Sequence, residues 1–255
     1  MKDPNVFNSM GEVLSGIPRQ KIVFFTGAGI SKESGIPTFR DANGLWRTHD
    51  PEVLGSISGF FEDTETSLNF LNELRLKIHN SSPNHAHEVI ATLEANHDVT
   101  VVTQNVDNLH ERAGSSNVIH LHGEMSKISS SVHRLDPECL KEYPLHVSIK
   151  VGDMAADGSQ MRPAIVMFGE YLSDKVCSEA EKAIRNADIL VVIGTSLKVH
   201  PAASFMHYAS KYSMKYIIDP ADFEPQAISD FTHIKEPATK GIDTMIAYIN
   251  EFYEQ

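Results

Sequence analysis

Four short clusters in this 255-residue chain combine residue types suited to chemistry rather than to filling a core. The first is Gly27-Ala28-Gly29, with Ser31 close behind, after the unbroken apolar run at residues 22–25. Glycines at the end of a buried strand let backbone N–H groups approach a bulky anion, and open α/β sheets bind nucleotides at that point. Lys32 stands where the usual dinucleotide fingerprint wants a third glycine, so this turn alone also fits an ordinary strand-to-helix connection. The long loop that follows is punctuated by Gly and Pro and carries Phe39, Arg40 and Trp46, the only tryptophan. Such a loop beside a phosphate-type turn suits a flap folding over a dinucleotide.

The second cluster, Gln104-Asn105-Val106-Asp107-Asn108, directly follows the core-strand pattern Val99-Thr-Val-Val-Thr103. Amides and a carboxylate there suit ribose and carboxamide groups, although Asp107 alone also reads as the cap of a helix over 107–113. The third is His122-Gly123, closing a short strand at 118–122 in which His120 and His122 share one face and Ile119 and Leu121 the other. An imidazole at a strand end is a candidate general base; most of the 13 histidines read as surface or hydrogen-bonded core residues. The fourth, Gly194-Thr195-Ser196-Leu197, ends the strongest strand pattern, 188–193, and suits ribose or phosphate contacts, though Gly-Thr-Ser is common in turns.

The elements that position these clusters alternate between strand and helix, which predicts an α/β fold around a parallel sheet. Further strands are expected at 165–168 and 215–219. Helical periodicity appears at 1–18, 51–61, 64–79, after Ser82-Pro83-Asn84, around Val176, Ala180 and Ile184, from Pro201, and in a closing helix lined by Ile242, Met245, Ile246, Ile249 and Phe252. Residues 124–162 break this rhythm with Ser, Pro, Gly and charge, and read as a small insert. A net charge of −12 argues against nucleic acid and is compatible with lysine-rich partners. Cys139 and Cys177 are too few for a disulfide framework or a four-thiolate zinc site. Neither a signal-peptide pattern at the N-terminus nor an apolar run of membrane-spanning length is present, so no membrane partner and a cytoplasmic location are expected.

In order and wording, the four clusters together with Phe168-Gly169-Glu170 and the Val199-x-Pro201 that follows resemble the sirtuin family, NAD-dependent protein lysine deacylases, in a bacterial-type form without the zinc-binding cysteines. The resemblance runs from about Lys21 to Ile249. It implies one catalytic unit over 1–255: a Rossmann-like NAD-binding domain at about 19–50, 80–123 and 163–255, and a small domain from 51–79 and 124–162. It implies that Gly27, Ala28, Gly29 and Ser31 hold the NAD pyrophosphate side under Phe39, Arg40 and Trp46. Gln104 meets the nicotinamide ribose, Asn105 and Asp107 line the nicotinamide pocket, and Gly194, Thr195, Ser196 and Asp219 contact the adenosine side. An acylated lysine of a protein or peptide lies as an added strand between 168–170 and 197–199. Val166, Phe168 and Val199 wall its tunnel; Gly169, Glu170 and Leu197 belong to the same surface. The acyl oxygen displaces nicotinamide, and His122 takes a proton from a ribose hydroxyl, giving free lysine and O-acyl-ADP-ribose.

Three departures from the family pattern carry consequences. Two Cys-x-x-Cys pairs usually hold zinc in the small domain, whereas Ser130 stands about where the first ligand is expected. No zinc is expected, with apolar packing across 140–151 in its place. Relatives that remove succinyl or malonyl groups carry Tyr and Arg where Leu71 and Leu74 fall here, with Arg75 one position beyond, so the acyl pocket is expected to be apolar. Asp219 replaces a common Asn. Competing readings are an ADP-ribosyltransferase or NAD hydrolase acting on the same carbon, and a non-catalytic NAD-binding module, for which a base such as His122 has no use.

Overall fold

The apolar run at 22–25 shows no polar alternation because its residues are buried on both faces of a sheet. In the computed structural model, which describes residue 14 and residues 16–38, 51–197, 202–224 and 228–254, the run lies in β1 (Lys21–Thr26). The expected helix at 1–18, apart from residue 14 and residues 16–18, and Phe39, Arg40, Trp46, Val199 and Pro201 lie outside the described residues. After β1 come α1 (Ala28–Lys32), α2 (Pro51–Leu54), α3 (Ile57–Glu62), α4 (Thr64–Asn80) and α5 (His85–Thr92). Strand β2 (Asp98–Thr103), helix α6 (Leu109–Ala113) and strand β3 (Val118–His120) follow. Next are β4 (Gly123–Ser130), β5 (Lys141–Glu142), β6 (Met161–Ile165) and α7 (Asp174–Arg185). The chain finishes with β7 (Ile189–Ile193), β8 (Met214–Ile218), β9 (Thr232–Ile234) and α8 (Ala238–Glu254).

Six strands form a parallel sheet in the order β3-β2-β1-β7-β8-β9. Strand order reverses between β1 and β7, so the crevice at their carboxyl ends is a topological switch point, where doubly wound sheets bind ligands. On one face, Ala86 and Ile90 of α5 and Ile242, Met245 and Ile249 of α8 pack on Phe24, Val101 and Val191. On the other, Ala180 and Ile184 of α7 and Phe205 cover Phe25, Val102 and Leu190. Phe252, expected on the buried face of the closing helix, is 58% exposed.

Local pattern and observed structure differ where pairing partners decide. The apolar residues 165–168, expected to rejoin the parallel sheet, instead begin with the last residue of β6, Ile165, and run on beyond it; β6 pairs antiparallel with β4 in a separate sheet ordered β5-β4-β6. Pro163 lies in β6 opposite Ile128, where the register of β4 shifts, an arrangement a prolyl residue tolerates. Helix α5 is capped by Asn84, whose Oδ1 accepts from Ala86 N–H at 3.1 Å; Pro83 precedes the cap rather than opening the helix. The 51–61 pattern is two helices, and Ser56 Oγ accepts from Gly59 N–H at 3.0 Å to start the second.

Helix α4 presses Leu68, Leu71, Leu74 and Ile78 onto Met125, Ile128, Ile149, Ile165 and Met167 of the smaller sheet and its loops. Between them lies Arg75, fully buried, whose guanidinium donates to the carbonyls of Met125, Pro144 (2.7 Å), Val147 (3.3 Å) and Tyr143 (3.5 Å). Asn72 adds a two-way clasp on Ile149, donating to its carbonyl at 2.8 Å and accepting from its N–H at 2.9 Å. The apolar packing expected across 140–151 is therefore only partial. Ile149 is buried, but Leu140, Val147 and Val151 are exposed, and polar clasps from α4 hold the segment. At the far end, Ser130 Oγ accepts from the N–H groups of Val132 and His133 and bonds Asp157 (2.6 Å) and Ser159 (2.8 Å).

Candidate active site at the ends of the parallel strands

The glycine turns after β1 and β7 are pressed together at the switch point. Gly27 N–H donates to Ile193 O at 2.9 Å and Gly29 N–H to Gly194 O at 2.8 Å. A Cβ on Gly29 would lie 2.5 Å from Gly194 Cα; one on Gly194, at φ +62°, would lie 2.4 Å from Ile30 N. These positions need glycine first for backbone-to-backbone contact, and the Gly29 N–H that sequence assigned to an anion is engaged by Gly194. The cradle leaves Ala28 half-buried at the crevice. Gln104 Nε2 bridges the crevice by donating to Thr195 Oγ1 at 3.0 Å. The same hydroxyl accepts from Leu197 N–H at 3.3 Å, holding a leucine in the left-handed region at φ +56°, with half-buried Ser196 between them. Asp219, after β8, accepts at Oδ1 from Ala221 N–H at 2.8 Å and so helps fix its own turn.

Asn105 and Asp107 are buried and converge on Ser31. Asn105 Nδ2 donates to Gly27 O at 3.1 Å and to Ser31 Oγ at 3.3 Å, while Ser31 Oγ donates to Asp107 Oδ2 at 3.0 Å. Asp107 Oδ1 accepts from Leu109 N–H at 3.1 Å, so the carboxylate serves both the helix start and the site. Burial raises its pKa above the usual carboxylate value, with the Leu109 and Ser31 bonds opposing. The loop is anchored below by a feature the motif reading missed: Thr26 and Thr103 end neighbouring strands in register, and their hydroxyls bond at 2.8 Å. Thr103 Oγ1 also accepts from Asn105 N–H, and His110 Nε2 meets Thr26 Oγ1 at 3.1 Å. Threonine closing two adjacent parallel strands was the available signal.

Strand β3 ends at His120, not at 122, so His122 sits in the turn before β4. Its Nδ1 lies 2.7 Å from Gln104 O; a carbonyl has no proton to give, so Nδ1 carries the hydrogen and Nε2 of the neutral ring is the acceptor. Burial lowers the His122 pKa, opposed by that bond, so the ring is neutral at neutral pH. His122 O accepts from Val166 N–H at 2.8 Å, joining the turn to the segment after β6.

Leu71 and Leu74, expected at the acyl pocket, are buried beside Phe60, Ile165 and Met167, and Arg75 is bonded to backbone carbonyls. Phe168 is partly exposed, but its N–H and C=O are already engaged by Gly55 O and Ile57 N–H. Gly169 follows at φ +89°. The Glu170 carboxylate faces inward, accepting from Arg162 at 2.5 Å and from Met167 N–H at 2.8 Å; it shapes the segment rather than offering charge outward. Among the described residues, no helix is long and apolar enough to cross a membrane.

A model of the Sir2 family matches residues 27–201. A protein of Bacteroides thetaiotaomicron named NAD-dependent protein deacylase is 43% identical over 227 residues, covering 89% of this chain and 96% of its own. One of the same name from Helicobacter pylori is 44% identical over 201 residues, covering 79% and 85%. A solved Sir2 homologue in complex with NAD is 32% identical with a TM-score of 0.77, covering 99% of this chain and 95% of its own. A Sir2 complex with a p53 peptide and NAD+ is 27% identical with a TM-score of 0.73, covering 98% and 100%.

Proposed function

The chain belongs to the Sir2 family and is an NAD-dependent protein deacylase, and from that premise we propose that it removes acetyl and other neutral acyl groups from protein lysines. The observation that carries this is the His122 Nδ1 bond to Gln104 O, which leaves Nε2 as acceptor beside the loop presenting Asn105 and Asp107. When bound, NAD supplies an anomeric carbon whose cationic nicotinamide is a ready leaving group. Gly27, Ala28, Gly29 and Gly194 form a cradle without bulky side chains, and Ser31 links it to Asn105 and Asp107. Gln104 and Thr195 span the crevice between the two halves of the dinucleotide site, with Ser196 and Asp219 on the adenosine side. Phe39, Arg40 and Trp46 close the flap, and Leu197, Val199, Val166, Phe168 and Gly169 receive the acyl-lysine. His122 Nε2 takes the proton of a ribose hydroxyl. Holding the reactants together and excluding water is the larger part of the work.

The test is incubation with NAD and a panel of acyl-lysine peptides, with products identified by mass. Free lysine, nicotinamide and O-acyl-ADP-ribose are expected; nicotinamide release independent of acylated peptide would replace this reading with NAD hydrolysis or ADP-ribosyl transfer. Within the panel, acetyl is expected to leave roughly 10-fold or more faster than succinyl. In this reading Leu71 and Leu74 form the pocket wall, and Arg75, the neighbouring cation on the same helix, is committed to backbone carbonyls and does not meet a succinyl carboxylate. Equal rates would contradict an apolar pocket.

The small domain, formed by 51–79 and 124–162, is proposed to need no zinc. Ser130 offers a hydroxyl where a thiolate would be required, and that hydroxyl already collects two backbone N–H groups, Asp157 and Ser159. Purified protein is expected to contain no stoichiometric zinc by elemental analysis and to keep its melting temperature in chelator. Stoichiometric zinc would overturn this.

A further inference from the structure

His120 does not belong to the proton-transfer step, yet it is tied to the loop that performs binding. Its side chain is 6% exposed. Nδ1 lies 3.1 Å from Asn105 O, and Nε2 lies 2.7 Å from Glu111 Oε1 on α6. Two residues on, His122 grips the preceding carbonyl, Gln104 O. Two imidazoles from the end of β3 and its turn therefore hold two successive carbonyls of the 104–107 loop. We propose that His120, oriented by Glu111, is a positioning residue for the deacylase reaction: as an imidazolium it fixes the Asn105 carbonyl and so sets the placement of Asn105 and Asp107.

The charge state follows from the partners. A carbonyl oxygen and an ionised carboxylate are both acceptors, so both His120 nitrogens must carry hydrogen for both bonds to exist. His122 has one acceptor and needs one hydrogen. One short stretch thus carries a cationic clamp and a neutral base. Burial opposes charging His120, but Glu111, then Glu124 and the Asn105 carbonyl, outweigh it and raise its pKa. Burial likewise disfavours the Glu111 carboxylate, and its bond to His120 reverses that and lowers its pKa. The other charged or titratable groups facing the pair are Lys127, which is ion-paired with Glu124; Asp107 and His110, whose titrations both feel His120; and His87, whose titration feels Glu111. The ring also sits in register with Thr103, the residue that accepts from Asn105 N–H, so both backbone polar groups of Asn105 are held.

The inference rests on the deacylase reading, and its test separates the two. Wild-type activity on the acetyl peptide decides that reading first. The rate is then expected to rise with pH as His122 loses its proton and to fall as His120 loses its own. In Glu111→Gln, which keeps an acceptor but removes the charge, the falling limb should move down by roughly 1 pH unit while the rising limb stays. NMR titration of the His120 ring should show the same shift without reference to activity. His120→Phe should lower kcat by roughly 10- to 100-fold with KM for peptide within threefold, and His120→Asn, which retains a donor near Nδ1, should recover part of the loss. ADP-ribose affinity, read by calorimetry, should change little in any variant that folds. A His120 ring that titrates identically in wild type and Glu111→Gln, or a folded His120→Phe enzyme with wild-type kcat, would overturn the proposal.

Discussion

Replacing His122 with alanine is expected to reduce deacylation by roughly 10²- to 10⁴-fold, the usual worth of a positioned general base. The ring's Nδ1 is held by Gln104 O at 2.7 Å, which fixes both the tautomer and the direction of Nε2. Because burial lowers its pKa, His122 is neutral at neutral pH, and the low-pH limb of activity is expected to fall as pH drops through that lowered value. Alanine also removes the bond to Gln104, so a second variant isolates the chemistry. His122→Asn keeps a donor near Nδ1 but has no basic nitrogen, and it should be as inactive as alanine. The measurement is kcat for acetyl-peptide turnover with NAD saturating, alongside binding of ADP-ribose to show that the crevice persists. An asparagine variant with near wild-type turnover would mean that His122 only shapes the loop.

Arg75→Leu is expected to lower the stability of the fold by about 2–4 kcal/mol. Leucine relieves the desolvation of a buried cation, whose pKa burial pushes down to about 10, still charged at neutral pH. It also takes the guanidinium donor from the buried Met125 carbonyl and from the part-buried carbonyls of Tyr143, Pro144 and Val147, of which Pro144 O keeps its bond from Val147 N–H, and an unmet buried carbonyl costs about 1–3 kcal/mol. The second effect is repeated over several groups and wins. The face of Tyr143, 5.3 Å from the guanidinium carbon, is lost as a partner as well. Chemical denaturation checks the magnitude; Arg75→Lys, with one ammonium in place of a planar fork, should fall between. A change below about 1 kcal/mol would show that water or a shifted loop satisfies those carbonyls.

The strands at 22–25, 99–103 and 188–193 were legible because parallel strands covered on both faces are dominated by apolar and β-branched residues. Their polar endings were legible because a parallel β/α sheet gathers strand ends on one edge, so Gly27, Gln104, His122 and Gly194 had to meet. The short β9, only three residues, offered no comparable run. The role of β6 was unreadable for a different reason: apolar residues report burial, not the strand they pair with.

Chemical identity therefore lay in the linear chain. Residue types at consecutive strand ends pointed to the family and to the base, amides and cradle proposed above, because those functions need particular atoms and few substitutes exist. Contacts between distant segments belonged to the folded molecule. The hydroxyl contact of Thr26 with Thr103, the His120 grip on Asn105, the clasp of Arg75 on 143–147 and the packing of Gly29 against Gly194 each join residues 15 or more positions apart. A hydrogen bond depends on distance and angle at the ångström scale, and only the assembled sheet and its covering helices bring those atoms within reach.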